Sequence, residues 1–120
     1  MLEDSLEGQL TVIRVDAREI TDWASFHITF KRLFGFPDFY GHNVDAWIDC
    51  MSDLDAPEHG MTAIHVPSGQ ILTIRLEHSL ALRQHPDVLE GLLEMVDFVN
   101  LRRQNSTPSQ PAVLAVQIAS

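Results

Sequence analysis

The chain has 120 residues, 45% of them apolar, enough for one domain with a buried core and too evenly mixed for a membrane or disordered class. Against 17 acidic residues stand 8 basic ones, a net charge of −9, so the surface repels nucleic acid and anionic lipid and attracts basic partners. Cys50 is the single cysteine, which excludes an intramolecular disulfide and a zinc–cysteine cluster and fits a reducing compartment.

Residues 1–9 read as a polar leader to a single domain over 1–120. Met1 to Glu7 is acidic where a signal peptide carries positive charge followed by an apolar stretch, so a cytoplasmic protein is expected. No apolar run is long enough to span a bilayer. Leu10–Val15 is rich in β-branched residues and predicts a first strand. Thr21 or Asp22 can cap a helix whose apolar face is Trp23, Phe26, Phe30, Leu33 and Phe34, stopped by Gly35 and Pro37.

A loop follows, with Gly41 free to take positive φ and Asn43 placed as an N-cap. The second helix is expected from Val44 to about Leu54, its apolar face formed by Val44, Trp47, Ile48, Met51 and Leu54. Met61–Val66 and Ile71–Leu76 are two β-like runs around Pro67 to Gln70 and predict a hairpin. Ser79–Gln84 suits a short helix. Pro86 suits the first position of a long amphipathic one ending at Arg102 or Arg103. Asn105–Pro111 reads as a loop, and Ala112–Ile118 is apolar enough for an interior parallel strand. Strands alternating with helices predict an α/β fold, a layer of helices on a small, mostly parallel sheet with an extra hairpin strand.

Asp45, Asp49 and Asp53 are spaced four apart on the second helix and form one stripe, roughly opposite Trp47 and Met51. An ordinary solvated helix face gives the same pattern, and Asp45 also suits the positive end of the helix dipole. A catalytic carboxylate pair needs two unlike environments and a cleft between them, which this stripe does not offer. A metal-bridged phosphate site would need a second acidic motif or a Gly-rich loop, and neither is present. The six histidines are scattered without a zinc-binding spacing. Cys50, flanked by Asp49 and Asp53, is disfavoured as a thiolate and reads as a small buried hydrophobe. No enzyme and no cofactor are expected.

The stretch from Phe36 to Cys50, and within it Tyr40, Gly41, Asn43, Asp45, Ala46, Asp49 and Cys50 at their spacings, resembles the central segment of the barstar family. The resemblance implies a single barstar-like domain that inhibits a basic guanyl-type ribonuclease, a bacterial immunity protein in the cytoplasm that binds protein, not nucleic acid or membrane. It implies that the second helix and the loop before it enter the ribonuclease active site. Asp49 would then mimic a phosphate and Asp45 would meet further basic side chains. Gly41, Asn43 and Val44 would supply loop contacts, and Phe39 an aromatic surface.

Three sites depart from the family pattern, and the stretch around Asp55–Gln70, with its extra hairpin, is an insertion relative to it. Phe39 lacks the hydroxyl of the family's tyrosine, His42 replaces an acidic residue, and Ile48 follows Trp47 where the order is usually reversed, changing what borders Asp49. An interaction module of the same fold, binding another basic protein that is not a ribonuclease, stays open as the alternative.

Overall fold

The computed structural model describes residues 10–67, 69–106 and 114–120. The elements run β1 (Leu10–Asp16), α1 (Trp23–Phe34), α2 (Val44–Ser52), β2 (Ile71–Glu77), α3 (Pro86–Ser106) and β3 (Leu114–Ile118). Short 3-10 turns lie at Ala17–Glu19, Pro57–His59 and Ser79–Gln84. The polar leader and the 107–113 connection, including the expected start of the last strand, lie outside the described residues.

Three parallel strands form the sheet in the order β1-β2-β3, with Ile13 beside Ile74 and Leu72 beside Leu114. Strand alternation sorts the sheet into two unlike faces. Val15, Leu72, Ile74, Leu76 and Leu114 are buried in the core with the helices. The opposite face carries Arg14, Arg75 and Glu77, with Glu77 bound to Arg75 at 3.2 Å, and Val12 there is exposed. The helices therefore form a single layer on one side of the sheet.

Met61–Val66 forms no strand, and the expected hairpin with Ile71–Leu76 is absent. Both edges of β2 are taken by β1 and β3, so no ladder is free for a third partner. The backbone of 61–66 is tied to helix ends instead: Ala63 N donates to Phe34 O at 2.8 Å and Val66 N to Leu54 O at 2.9 Å. β3, expected in the interior, lies instead at the edge of the sheet, where Leu114 is buried and Ile118 is exposed. Asn100 of α3 pins this edge, its Nδ2 donating to Leu114 O at 2.9 Å while Leu114 N donates to its Oδ1 at 3.0 Å.

α1 begins in a closed capping box, Ser25 N donating to Asp22 Oδ1 at 2.8 Å and Asp22 N to Ser25 Oγ at 3.1 Å. It ends where Gly35 turns left-handed, φ 67°, and donates its N–H to Lys31 O at 2.9 Å. A Cβ at Gly35 would lie 2.4 Å from the Ala63 Cβ, so the tight end of α1 is also the seat of the 61–66 segment. Gly35→Ala is expected to destabilise by about 2 kcal/mol, the left-handed penalty plus the displacement of Ala63. Urea unfolding would read this as a lower midpoint with an unchanged slope; a loss below about 0.5 kcal/mol would show that the segment simply moves away.

Behind α1 the core is aromatic. Phe26, Phe30 and Phe34 are fully buried, and Trp47 of α2 packs its ring 5.7 Å from that of Phe30. On the other flank, Gly91 of α3 lets α1 approach closely, since a Cβ there would sit 2.5 Å from the Trp23 ring. The periodic apolar residues Val88, Leu92, Met95, Val96 and Val99 bury the inner face of α3, which runs to Ser106, past the expected end at Arg102 or Arg103.

Candidate functional site

α2 starts at Asn43, whose Oδ1 accepts the N–H of Ala46 at 2.8 Å while its Nδ2 donates to Gly41 O at 3.3 Å. One side chain thus joins the loop to the helix. The residue with positive φ is His42, at 54°, rather than Gly41. Gly41 matters for another reason: a Cβ there would come within 2.9 Å of the Asn43 amide nitrogen and would crowd the cap.

Along α2, Trp47, Ile48, Cys50 and Met51 are buried and Asp45 and Asp49 are exposed. The helix ends at Ser52, two residues before the expected Leu54, so Asp53 is its C-cap rather than a third member of the stripe. Asp53 is partly buried and bound to His59 at 3.0 Å. Phe39, Gly41, Asn43, Asp45 and Asp49 line one open depression of about 340 Å³, together with Tyr40, Ala46, Cys50 and Met61. Phe39 stands out from it with 75% of its surface exposed.

Val44 and Ile48 turn to the other side of α2. With Asp45 they line a second groove of about 410 Å³, shared with Trp23 of α1 and Glu94, Phe98 and Arg102 of α3. Ile48, only 6% exposed, is the floor of that groove and offers little surface of its own. His42 belongs to neither lining; it is exposed, with its ring 5.1 Å from that of Tyr40.

The charges on the two helices differ in how they are balanced. Asp45 lies in the first turn of α2, where the helix dipole favours a carboxylate, and makes no ion pair among the described residues. Asp49 is bound by Arg102 of α3, Nη1 to Oδ1 3.0 Å. Nothing in the residue pattern around α2 points to this arginine, or to Glu94 and Phe98 beside it. Asp87, Glu90, Glu94 and Asp97 are all exposed on α3 as well. Their spacing, which repeats the helical period, was a readable signal for a second acidic stripe.

Under the loop, His27 and Tyr40 are both buried, with His27 Nδ1 2.5 Å from the Tyr40 hydroxyl. Burial, with the nearby His42 adding to it, pushes His27 down from 6.5 to about 4, and burial pushes the Tyr40 phenol up. With both groups neutral, Nδ1 and the hydroxyl share one hydrogen bond, its direction set by the imidazole tautomer, and it fixes the loop to α1. Because the folded state disfavours the imidazolium, this stabilisation is complete above pH 6.5 and is lost as pH falls towards 4. Folding stability is expected to fall by up to about 1.4 kcal/mol per pH unit between pH 7.5 and 4.5, read by unfolding at each pH, and His27→Gln to flatten that slope. An equal slope in the variant would assign the acid sensitivity elsewhere. Asp16, lowered from 3.8 to about 2 by its bond to Arg18, loses its contribution only in a more acid window.

The site can present carboxylate oxygens and a cleft, and little else. Cys50 is 1% exposed, and burial first, then Asp49 and Asp53, pushes its thiol up to about 11, far from a nucleophilic thiolate. Among the described residues no group of three His, Cys, Asp or Glu side chains is placed to hold a metal ion. No helix among them is long and apolar enough to cross a membrane.

Fold and site together define a small α/β protein with one layer of helices on a parallel sheet and an acidic, partly open helix face. A family model described as Barstar (barnase inhibitor) matches residues 10–108, and the chain belongs to the barstar family. At family level this is a barnase-type ribonuclease inhibitor, a class of binding proteins rather than enzymes, whose partners are ribonucleases. No individual curated protein matches the chain.

Proposed function

We propose that the chain is an intracellular immunity protein that blocks the active site of a basic microbial ribonuclease with α2 and the loop before it. The observation that carries this is the depression lined by Phe39, Gly41, Asn43, Asp45 and Asp49, with both carboxylates exposed one helical turn apart. A carboxylate presents oxygens as a phosphodiester does, and an arginine grips either with paired hydrogen bonds. Asp49 takes the place of the scissile phosphate in the enzyme's cationic cluster, and Asp45 meets a neighbouring cation. Phe39, Gly41, Asn43 and Val44 shape the contact around them, with His42 and Ile48 at its margins.

The net charge of −9 draws a basic enzyme towards this face before contact, raising the association rate and penalising acidic partners. Blockade is steric and needs no covalent step and no cofactor. The test is RNA cleavage by a guanyl-type microbial ribonuclease, titrated with the protein and with Asp49→Ala. Stoichiometric inhibition that disappears in the variant supports the proposal. Full activity at excess protein removes this class of ribonuclease and directs the search to another basic protein.

A further inference from the structure

Asp49 is not empty-handed in the free protein. Arg102, on the penultimate turn of α3, reaches across to α2 and places Nη1 3.0 Å from Asp49 Oδ1. The same nitrogen lies 3.5 Å from Ser52 Oγ, whose proton is already donated to Ile48 O at 2.6 Å. The guanidinium holds one carboxylate oxygen only; Oδ2 has no partner among the described residues. Both side chains remain about half in solvent, 48% for Arg102 and 58% for Asp49. An exposed, one-point ion pair of this kind is weak and exchanges readily.

We infer that Arg102 is an internal competitor for Asp49, a latch that occupies the carboxylate until a stronger cationic cluster displaces it. The inference rests on the proposed use of Asp49 as a cation-binding group. Its consequence is a threshold on partner chemistry. A lone surface lysine offers a point charge no better than the resident guanidinium and gains nothing by exchange. A preformed pair of guanidinium groups, such as a phosphodiester site contains, engages both oxygens of Asp49 and the neighbouring Asp45 together, and wins. Arg102 thus lowers affinity for every cationic partner by the same factor, which leaves weak basic surfaces unbound by a protein of net charge −9 while a strong cationic cluster still binds.

The released arginine has somewhere to go. Arg102 lines both the groove beside Asp45 and Glu94 and a shallower depression with Phe98, Leu101 and Asn105. Glu94 lies two turns back along α3, about 12 Å by helical rise, so the released guanidinium is left to solvent over these depressions. Arg102 is already about half exposed, and its release asks only for a change of side-chain rotamer.

The test uses two probes, a guanyl-type microbial ribonuclease and a hexa-arginine peptide. Dissociation constants come from calorimetry, and peptide binding at the α2 amides is followed by NMR. Arg102→Gln is expected to tighten both probes by about two- to five-fold at low salt, the worth of one exposed pair. Arg83→Gln, at an exposed arginine on the 79–84 turn, makes the same change in net charge and is expected to do less. In an Asp49→Asn background the gain from Arg102→Gln should vanish, because the contested carboxylate is gone. Unchanged or weaker binding in Arg102→Gln overturns the latch and makes Arg102 either a bystander or part of the grip. A tighter peptide with no ribonuclease binding by any variant supports the latch and removes the ribonuclease proposal. Ribonuclease inhibition that Arg102→Gln leaves untouched does the reverse.

Discussion

Asp49→Ala is expected to weaken ribonuclease inhibition by about 2–5 kcal/mol, at least about thirty-fold in dissociation constant, with folding stability almost unchanged. That range is the one for truncating a desolvated charge pair, barnase with its own inhibitor among the measured cases, so it is not specific to this chain. The functional loss is large because the partner's cations, once docked, are left buried without their counter-charge. The small stability change follows from exposure: in the free protein Asp49 is in solvent and its pair with Arg102 is of the kind worth less than about 1 kcal/mol. Asp53→Ala should cost far less binding, since Asp53 lies past the end of α2 and is engaged with His59. Inhibition of the wild type should weaken as salt rises, mainly through slower association. Titration of all three proteins at two ionic strengths decides the matter, and equal losses at Asp49 and Asp53 would sink the phosphate-mimic assignment.

Much of this face was legible in the chain because its signals are local. Asp22, Gly35 and Asn43 announce helix ends by chemistry that acts within four residues, and all three take the expected places. The Trp47–Met51 burial and the Asp45–Asp49 exposure follow from helical period alone. What could not be read depends on partners distant in sequence. Met61–Val66 has the composition of a strand, but β2 had no free edge to give it, and only the sheet order shows that. Ala112–Ile118 looks interior because Ala115 and Val116 are apolar, yet a strand with small residues on its open face is equally content at an edge. Arg102 meets Asp49 across 53 positions of sequence, and no periodicity couples them. His27 and Tyr40 likewise find each other only because α1 and the loop are packed together by the core.

That core should fail hardest at Phe30. The ring is fully buried and central to the aromatic cluster, 4.5 Å from Phe26, 5.6 Å from Phe34 and 5.7 Å from Trp47. Phe30→Ala is expected to cost about 3–5 kcal/mol, the transfer free energy of the ring plus the cavity left among side chains that cannot close over it. Domains of this size hold about 5–15 kcal/mol in total, so the melting temperature should fall by on the order of 10–20 °C. Ile28→Ala, two residues away on the exposed side of the same helix, should stay within about 0.5 kcal/mol. The cluster also links stability to the site, because Trp47 sits on the helix that presents Asp45 and Asp49. Well below its melting point, Phe30→Ala should still inhibit at the same stoichiometry; as it melts, inhibition should disappear in step with the loss of folded protein. A cost under about 1 kcal/mol would mean that Phe26, Phe34 and Trp47 collapse into the vacated space, and that this core is far more pliant than its packing implies.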